Sequence, residues 1–166
     1  LRLYTKKEKI SDRNHCSYFG IRQKNYAFYA ETGMEFEPKQ ECETAGMVLY
    51  QNHENHLRME IRKRAEENCF VVTACIHGKE KILTEKPAGE GRQFFKIRMH
   101  CDRQKARIWL FRDGRERLIA EDISLLPYTT EEAGGFVGCT IGMYASANGQ
   151  DSSNYADFAW FVQNAI

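Results

Sequence analysis

The chain has 166 residues, 42% apolar and 28% charged, a balance that suits one globular domain with its own core. Its 24 basic and 23 acidic residues leave a net charge of +1, which excludes the strong positive field that nucleic acid or an anionic membrane selects. No segment approaches the ~20 apolar residues of a membrane helix.

In chain order, Leu1-Arg2-Leu3-Tyr4-Thr5-Lys6-Lys7 holds no long apolar run and does not read as a secretory signal. A first residue that is Leu rather than Met suggests an excised piece of a longer polypeptide, and a trimmed mature chain would look the same. From Tyr26 the even positions are Tyr26, Phe28, Ala30, Thr32, Met34 and Phe36, with Glu31 and Glu35 on the other parity. Period two puts each set on one face of a strand, so this is a half-buried strand. Strands are predicted next over Gly46–Tyr50, Leu57–Lys63 and Cys69–Ile76. Phe95, Ile97, Met99 and Cys101 repeat the alternation against Lys96, Arg98 and His100. Further strands are predicted over Arg107–Phe111, Arg117–Glu121, Gly138–Ala145 and Tyr155–Val162. Turns are predicted at Asn52-His53-Glu54-Asn55, His77-Gly78-Lys79 and Asp113-Gly114. Pro38, Pro87 and Pro127 are placed outside the strands, and Thr129–Glu132 is a short helical turn. About ten strands with almost no helix imply an all-β fold, a sandwich of two packed antiparallel sheets, as one domain over 1–166.

The six cysteines, Cys16, Cys42, Cys69, Cys75, Cys101 and Cys139, form no C-x-x-C pair, so zinc-ligand spacing is absent. They read as free thiols acting as small hydrophobes, and a reducing cytoplasm suits them. The acidic pairs two residues apart, Glu35/Glu37 and Glu41/Glu43, lie at a strand end and in the loop after it. They read as solvated charges rather than the convergent carboxylates of a glycosidase. His53 and His56 flank a turn and read as exposed loop residues. No G-x-S-x-G elbow or phosphate-binding loop occurs. Sugars stack on aromatic faces, which makes Tyr50, Trp109, Tyr144 and Trp160 candidates. For Trp109 and Trp160, set in apolar runs, core filling is an equal reading.

Two motifs near the end carry a resemblance. Ala133-Gly134-Gly135-Phe136-Val137-Gly138-Cys139-Thr140-Ile141-Gly142-Met143-Tyr144-Ala145, followed by Ala156-Asp157-Phe158-Ala159-Trp160-Phe161, resembles the C-terminal region of family 43 glycoside hydrolases of the β-xylosidase/α-L-arabinofuranosidase type. Leu1–Tyr4, Arg22-Gln23 and Ala45-Gly46-Met47-Val48-Leu49-Tyr50-Gln51-Asn52 resemble further segments of that family in the same order, so the resemblance covers nearly the whole chain.

The resemblance implies a concanavalin-like sandwich that follows a catalytic five-bladed propeller carrying the three catalytic carboxylates. None of those would lie in this chain. It implies a non-catalytic role: packing on the propeller and shaping a pocket for xylo- or arabino-oligosaccharides. The runner-up role is that of an independent carbohydrate-binding module for xylan or arabinan. The pocket-shaping loop corresponds to Glu131 through Val137, with Gly134, Gly135 and Phe136 at its centre. Several family members have an aromatic residue where this chain has Gly135, so Phe136 either takes over that contact or fills the core. Tyr50 and Trp109 are the candidates for sugar stacking. Asp157 either caps its strand or bonds backbone amides, with no cofactor, or joins a structural Ca²⁺, although Ala159 stands where a second carboxylate is common. The expected partners are the propeller of the same polypeptide and the oligosaccharide, with assembly into a homo-oligomer allowed.

Overall fold

The computed structural model describes residues 1–166 as twelve strands. These are β1 (Arg2–Tyr4), β2 (Ser17–Arg22), β3 (Ala27–Phe36), β4 (Thr44–Asn52), β5 (Asn55–Arg64), β6 (Glu67–Ile76), β7 (Lys79–Gly89), β8 (Gln93–Asp102), β9 (Lys105–Arg112), β10 (Arg115–Ser124), β11 (Thr140–Ser146) and β12 (Tyr155–Ala165). One short helix, α1 (Thr130–Ala133), follows a 3₁₀ turn at Leu126–Tyr128. The strands form two six-stranded sheets, ordered β1-β12-β3-β8-β9-β10 and β2-β11-β4-β5-β6-β7. Every pairing is antiparallel. The predicted sandwich is the observed one.

Alternation explains which side chains meet. Phe28, Ala30, Met34 and Phe36 of β3 and Phe95, Ile97, Met99 and Cys101 of β8 are fully buried and face the other sheet. From that sheet come Met47 and Leu49 of β4, Leu57, Met59 and Ile61 of β5, and Phe70 and Val72 of β6. Burying each large side chain contributes roughly 1.5–3 kcal/mol. Tyr26, predicted at the head of the β3 stripe, lies before the strand and is exposed. Two hairpins turn on paired positive φ values, His77 (50°) with Gly78 (76°) and Asp113 (50°) with Gly114 (70°), the backbone that two-residue hairpin loops need.

Three strands escape the alternation rule. β1 is very short, β2 is interrupted by Gly20, and β7 is largely exposed. Pro87 lies inside β7, contrary to its predicted place outside the strands. β7 is an edge strand, where a missing ladder donor is tolerated, and the β6–β7 ladder is irregular beside Cys69, the partner of Pro87.

Gly46 sits on β4 directly opposite Glu60 of β5. A Cβ there would collide with the Met59 carbonyl and the Glu60 Cα, both backbone atoms that cannot swing away. Gly46→Ala is therefore expected to cost about 2 kcal/mol, typical of overpacking. Urea denaturation, read as a lower midpoint with an unchanged slope, checks it.

Candidate functional site

The segment between β10 and β11 is exposed over residues 134–138 and held at both ends. Tyr128 is buried at its start and Cys139 at its end, and the Cys139 thiol donates to the Tyr128 carbonyl at 3.0 Å. The Gln51 amide, at the end of β4, donates to the Val137 carbonyl at 2.8 Å. Between these anchors, α1 ends at Gly134 and Gly135, whose φ values are 75° and 89°. An aromatic residue at position 135 would be strained in that backbone, which accounts for the glycine. The next residue, Phe136, is 106% exposed and Val137 54%. Phe136 is thus at a loop tip and not in the core. The predicted helical turn is α1, and Gln51 is an anchor that the sequence reading missed.

The loop leaves its sheet beside the end of β2, where the Gln23 amide donates to the Cys139 carbonyl. Phe19 and Ile21 of β2 lie opposite Met143 and Ile141 and so share their core-facing side. Yet they are 58% and 39% exposed. The cause is the other sheet, whose edge there is β1, only three residues long. Phe19, Ile21 and the Phe136 loop therefore mark an uncovered apolar margin of the sandwich.

The other predicted residues are scattered. Trp109 is half-buried on the outer face of the sheet containing β9, with Arg107 over its ring at 5.7 Å and His100 edge-on. Trp160 is not in the core either. It stands on the same outer face, against Phe94 at 5.6 Å and over Gly33, which has no Cβ to obstruct it. Tyr50 lies on the outer face of the opposite sheet, with one neighbour in Tyr18 and another in His56, stacked at 6.1 Å. Tyr50 and Trp109 therefore share no groove. Tyr144 is fully buried beneath Ile10.

Asp157 accepts from Arg2 at 2.7 and 3.0 Å and from Arg92 at 3.1 Å. The hydrogen bonds of Arg2 outweigh a small desolvation and hold its carboxyl below the usual carboxylate range. Ca²⁺ takes six to eight oxygen ligands. Here both oxygens face guanidinium groups, so these residues do not fit that ion.

The outer face of the sheet containing β4 and β5 is not open to solvent. Residues 5–16 are laid across it as a strap. Ile10 packs on Val48 and Tyr144, and the Lys6, Lys7 and Glu8 carbonyls accept from Ala147, Gly149 and Ser146. Two sequence expectations are corrected on and beside this face. His56 is not an exposed loop residue: it lies in β5 with no exposed surface. Burial first, then the nearby Arg58, hold its ring down to about 4, so it is neutral near pH 7. Glu43 is not a solvated charge. It is 1% exposed and accepts from Ser152 and Asn154 side chains and from the Lys39 and Gln40 amides.

Beside the strap opens a cleft of about 420 Å³ whose walls include Lys9, Arg58, Arg62, Cys75 and Glu80. Arg58 pairs with Glu80 at 2.9 Å, and Arg62 with the fully buried Glu60. The charges nearly cancel, so the cleft attracts neither a strong anion nor a strong cation by field alone. Cys75 and His56 do not form an activated ion pair. Burial pushes the thiol up while the ring is held down, the reverse of the thiolate–imidazolium pair that such chemistry needs. All six cysteines are free, four of them buried. No helix is long and apolar enough to cross a membrane.

Residues 1–163 match the family model described as the β-xylosidase C-terminal concanavalin A-like domain. The whole chain is 44% identical to a xylosidase/arabinosidase of Butyrivibrio fibrisolvens, of which it spans 32%. Over 147 residues, 87% of the chain, it is 31% identical to the non-reducing end alpha-L-arabinofuranosidase BoGH43B of Bacteroides ovatus, covering 27% of that protein. A solved structure described as GH43B of the Bacteroides ovatus xyloglucan locus superposes with a TM-score of 0.92 at 26% identity, over 99% of this chain and 32% of the other. The chain thus spans about a third of the length of the curated relatives it matches.

Proposed function

We propose, for a chain that belongs to the family of β-xylosidase C-terminal concanavalin A-like domains, the role of a non-catalytic accessory domain in a larger family 43 glycosidase. In this reading a catalytic propeller of the same polypeptide rests on the margin formed by Phe19, Ile21 and the Phe136 loop. The loop tip helps close the pocket in which xylo- or arabino-oligosaccharides are hydrolysed.

The observation that carries the reading is Phe136. An aromatic side chain with no contact of its own stands at the tip of a loop whose two ends are fastened. A large exposed apolar side chain beside other uncovered ones marks an interaction surface, and the fastened ends mean that little order is lost when it is covered.

Separate production of the two parts tests this. The 166-residue chain is expected to associate with a separately expressed catalytic portion of the same enzyme. Phe19→Ser combined with Ile21→Thr should weaken that association about tenfold or more, as loss of interface anchors does. Analytical ultracentrifugation reads the outcome, and no association at micromolar concentrations sinks the reading.

A further inference from the structure

Three adjacent strands place three metal-ligand side chains in one transverse row. His56 of β5 lies directly opposite Cys75 of β6, and Cys75 lies opposite Glu80 of β7. Directly opposed residues on one face of a sheet are nearest neighbours. Their ligand atoms accordingly lie within 4.8 Å of one another. The row runs along the covered outer face of the sheet, and at its Cys75–Glu80 end it opens into the cleft beside the strap.

A second observation points the same way. His56 has no exposed surface, and neither ring nitrogen has a partner in full hydrogen-bond geometry, the Asn52 backbone being the near group. A buried polar group without a partner is costly and rare in folded proteins. Tyr50 stacked on one side of the ring limits how far it can turn to find another partner. Cys75 is 1% exposed, and its thiol donates to the Glu54 carbonyl at 3.3 Å beside the Gly78 amide. Glu80 is held by Arg58 through Oε1, which leaves its other oxygen available. That contact is of the outer-sphere kind, in which a hydrogen bond orients a ligating carboxylate.

We propose that His56, Cys75 and Glu80 form a three-ligand site for a transition metal of the Zn²⁺ class, with its fourth position open to the cleft. The donor set is one nitrogen, one sulfur and one oxygen. It suits a borderline-soft ion and excludes Ca²⁺ and Mg²⁺, which take oxygens. Binding releases the Cys75 proton to solvent. The thiolate and the Glu80 carboxylate then balance the two positive charges of the ion, and the neutral imidazole adds none. Tetrahedral zinc with bonds of about 2.0–2.3 Å needs ligand separations of about 3.3–3.8 Å. With all three ligand atoms within 4.8 Å of one another, closure on the ion asks for at most about 1–1.5 Å of movement. The Glu80 side chain, 46% exposed, can supply most of that by rotation.

Cobalt(II), which gives a charge-transfer band when bound by thiolate, is the probe. Titrated into the reduced 166-residue chain, it is expected to produce that band with saturation at one equivalent, reversed by Zn²⁺. Cys75→Ser should abolish the band, and Glu80→Gln should weaken binding about tenfold or more. His56→Gln should do the same. Cys42→Ser, which removes the other thiol lining the cleft, should change nothing. Because Glu80 is partly exposed, its variant keeps the test decisive even if the substitutions at buried sites disturb folding. No saturable band, or a band lost in Cys42→Ser and kept in Cys75→Ser, overturns the assignment. Neither outcome bears on the propeller-docking role.

Discussion

In the full-length enzyme, Phe136→Ala is expected to lower kcat/KM on oligosaccharides about tenfold while the unfolding midpoint of this domain stays where it was. Both halves follow from one fact: the Phe136 ring touches nothing within its own domain. Its removal creates no cavity here, so the large penalty of a core Phe→Ala change, about 3–5 kcal/mol, does not apply. On the proposed role, what the substitution removes is a contact across the domain boundary. Covering a phenylalanine side chain is worth at most ~3 kcal/mol, and recovering half of that as transition-state binding corresponds to about a tenfold change. The loss should fall chiefly on KM if the ring is a passive wall, since uniform binding is then removed. It should fall on kcat as well if the wall also fixes the sugar for reaction. Steady-state kinetics together with calorimetry separates these outcomes. An unchanged kcat/KM would place the loop tip away from the pocket.

Glu43→Ala should destabilise the isolated domain by about 4 kcal/mol. The carboxylate receives four hydrogen bonds in a nearly closed site: Ser152 Oγ and Asn154 Nδ2 at 2.7 Å, and the Lys39 and Gln40 amides at 2.7 and 3.3 Å. Ser152 in turn shares a hydrogen bond with Thr5. One side chain thus ties the β3–β4 connection to the β11–β12 connection and to the start of the strap. Hydrogen bonds to a charged group are worth about 1.5–3 kcal/mol each, and truncation also strands buried donors. Burial alone would raise the pKa of Glu43, but the hydrogen bonds from Ser152, Asn154 and the two amides outweigh it and hold the carboxyl below 4.5.

The sign for pH follows directly. The folded value lies below the unfolded one, so the charged form adds stability that is complete above the unfolded value. That stability disappears as pH falls through the folded one. The gap between the native chain and Glu43→Gln should therefore be full at neutral pH and shrink well below pH 4.5. Urea titrations at the two pH values check it, and a gap that stays constant into the acid range would contradict the charge argument.

Fold class was legible because alternation is a local signal. The stripe from Phe28 to Phe36 and the stripe from Phe95 to Cys101 each announce which face meets the core. β7 was not legible. As an edge strand carrying Lys79, Glu80, Lys81, Glu85 and Lys86, it buries little that could mark a face. His56 and Glu43 were misread for a different reason. Alternation reports which face of a strand meets the core, and says nothing of a second cover. The strap on this outer face packs on Val48 and Tyr144 from some forty residues upstream, and Glu43 is closed in by its own β3–β4 connection and by Ser152 and Asn154, more than a hundred residues downstream. The Phe136 loop was legible through its motif, but whether Phe136 pointed inward depended on the anchors at Gln51 and Cys139. The His56–Cys75–Glu80 row needed the register of two hairpins, which no spacing along the chain displays.

The pairing of β1 with β12 has a consequence for how the domain is made. Arg2 and Asp157 are partners although 155 positions separate them. The sheet that holds both strands also relies on β12 to connect β1 to β3. A growing chain on the ribosome can close the β4–β5–β6–β7 meander as it emerges, yet the other sheet lacks its second strand until Tyr155–Ala165 has been synthesised. Contacts of such long range are slow to form. Until then the apolar side of β3 stays open on one flank, which is the interval in which a nascent sandwich is most prone to aggregate or to need a chaperone.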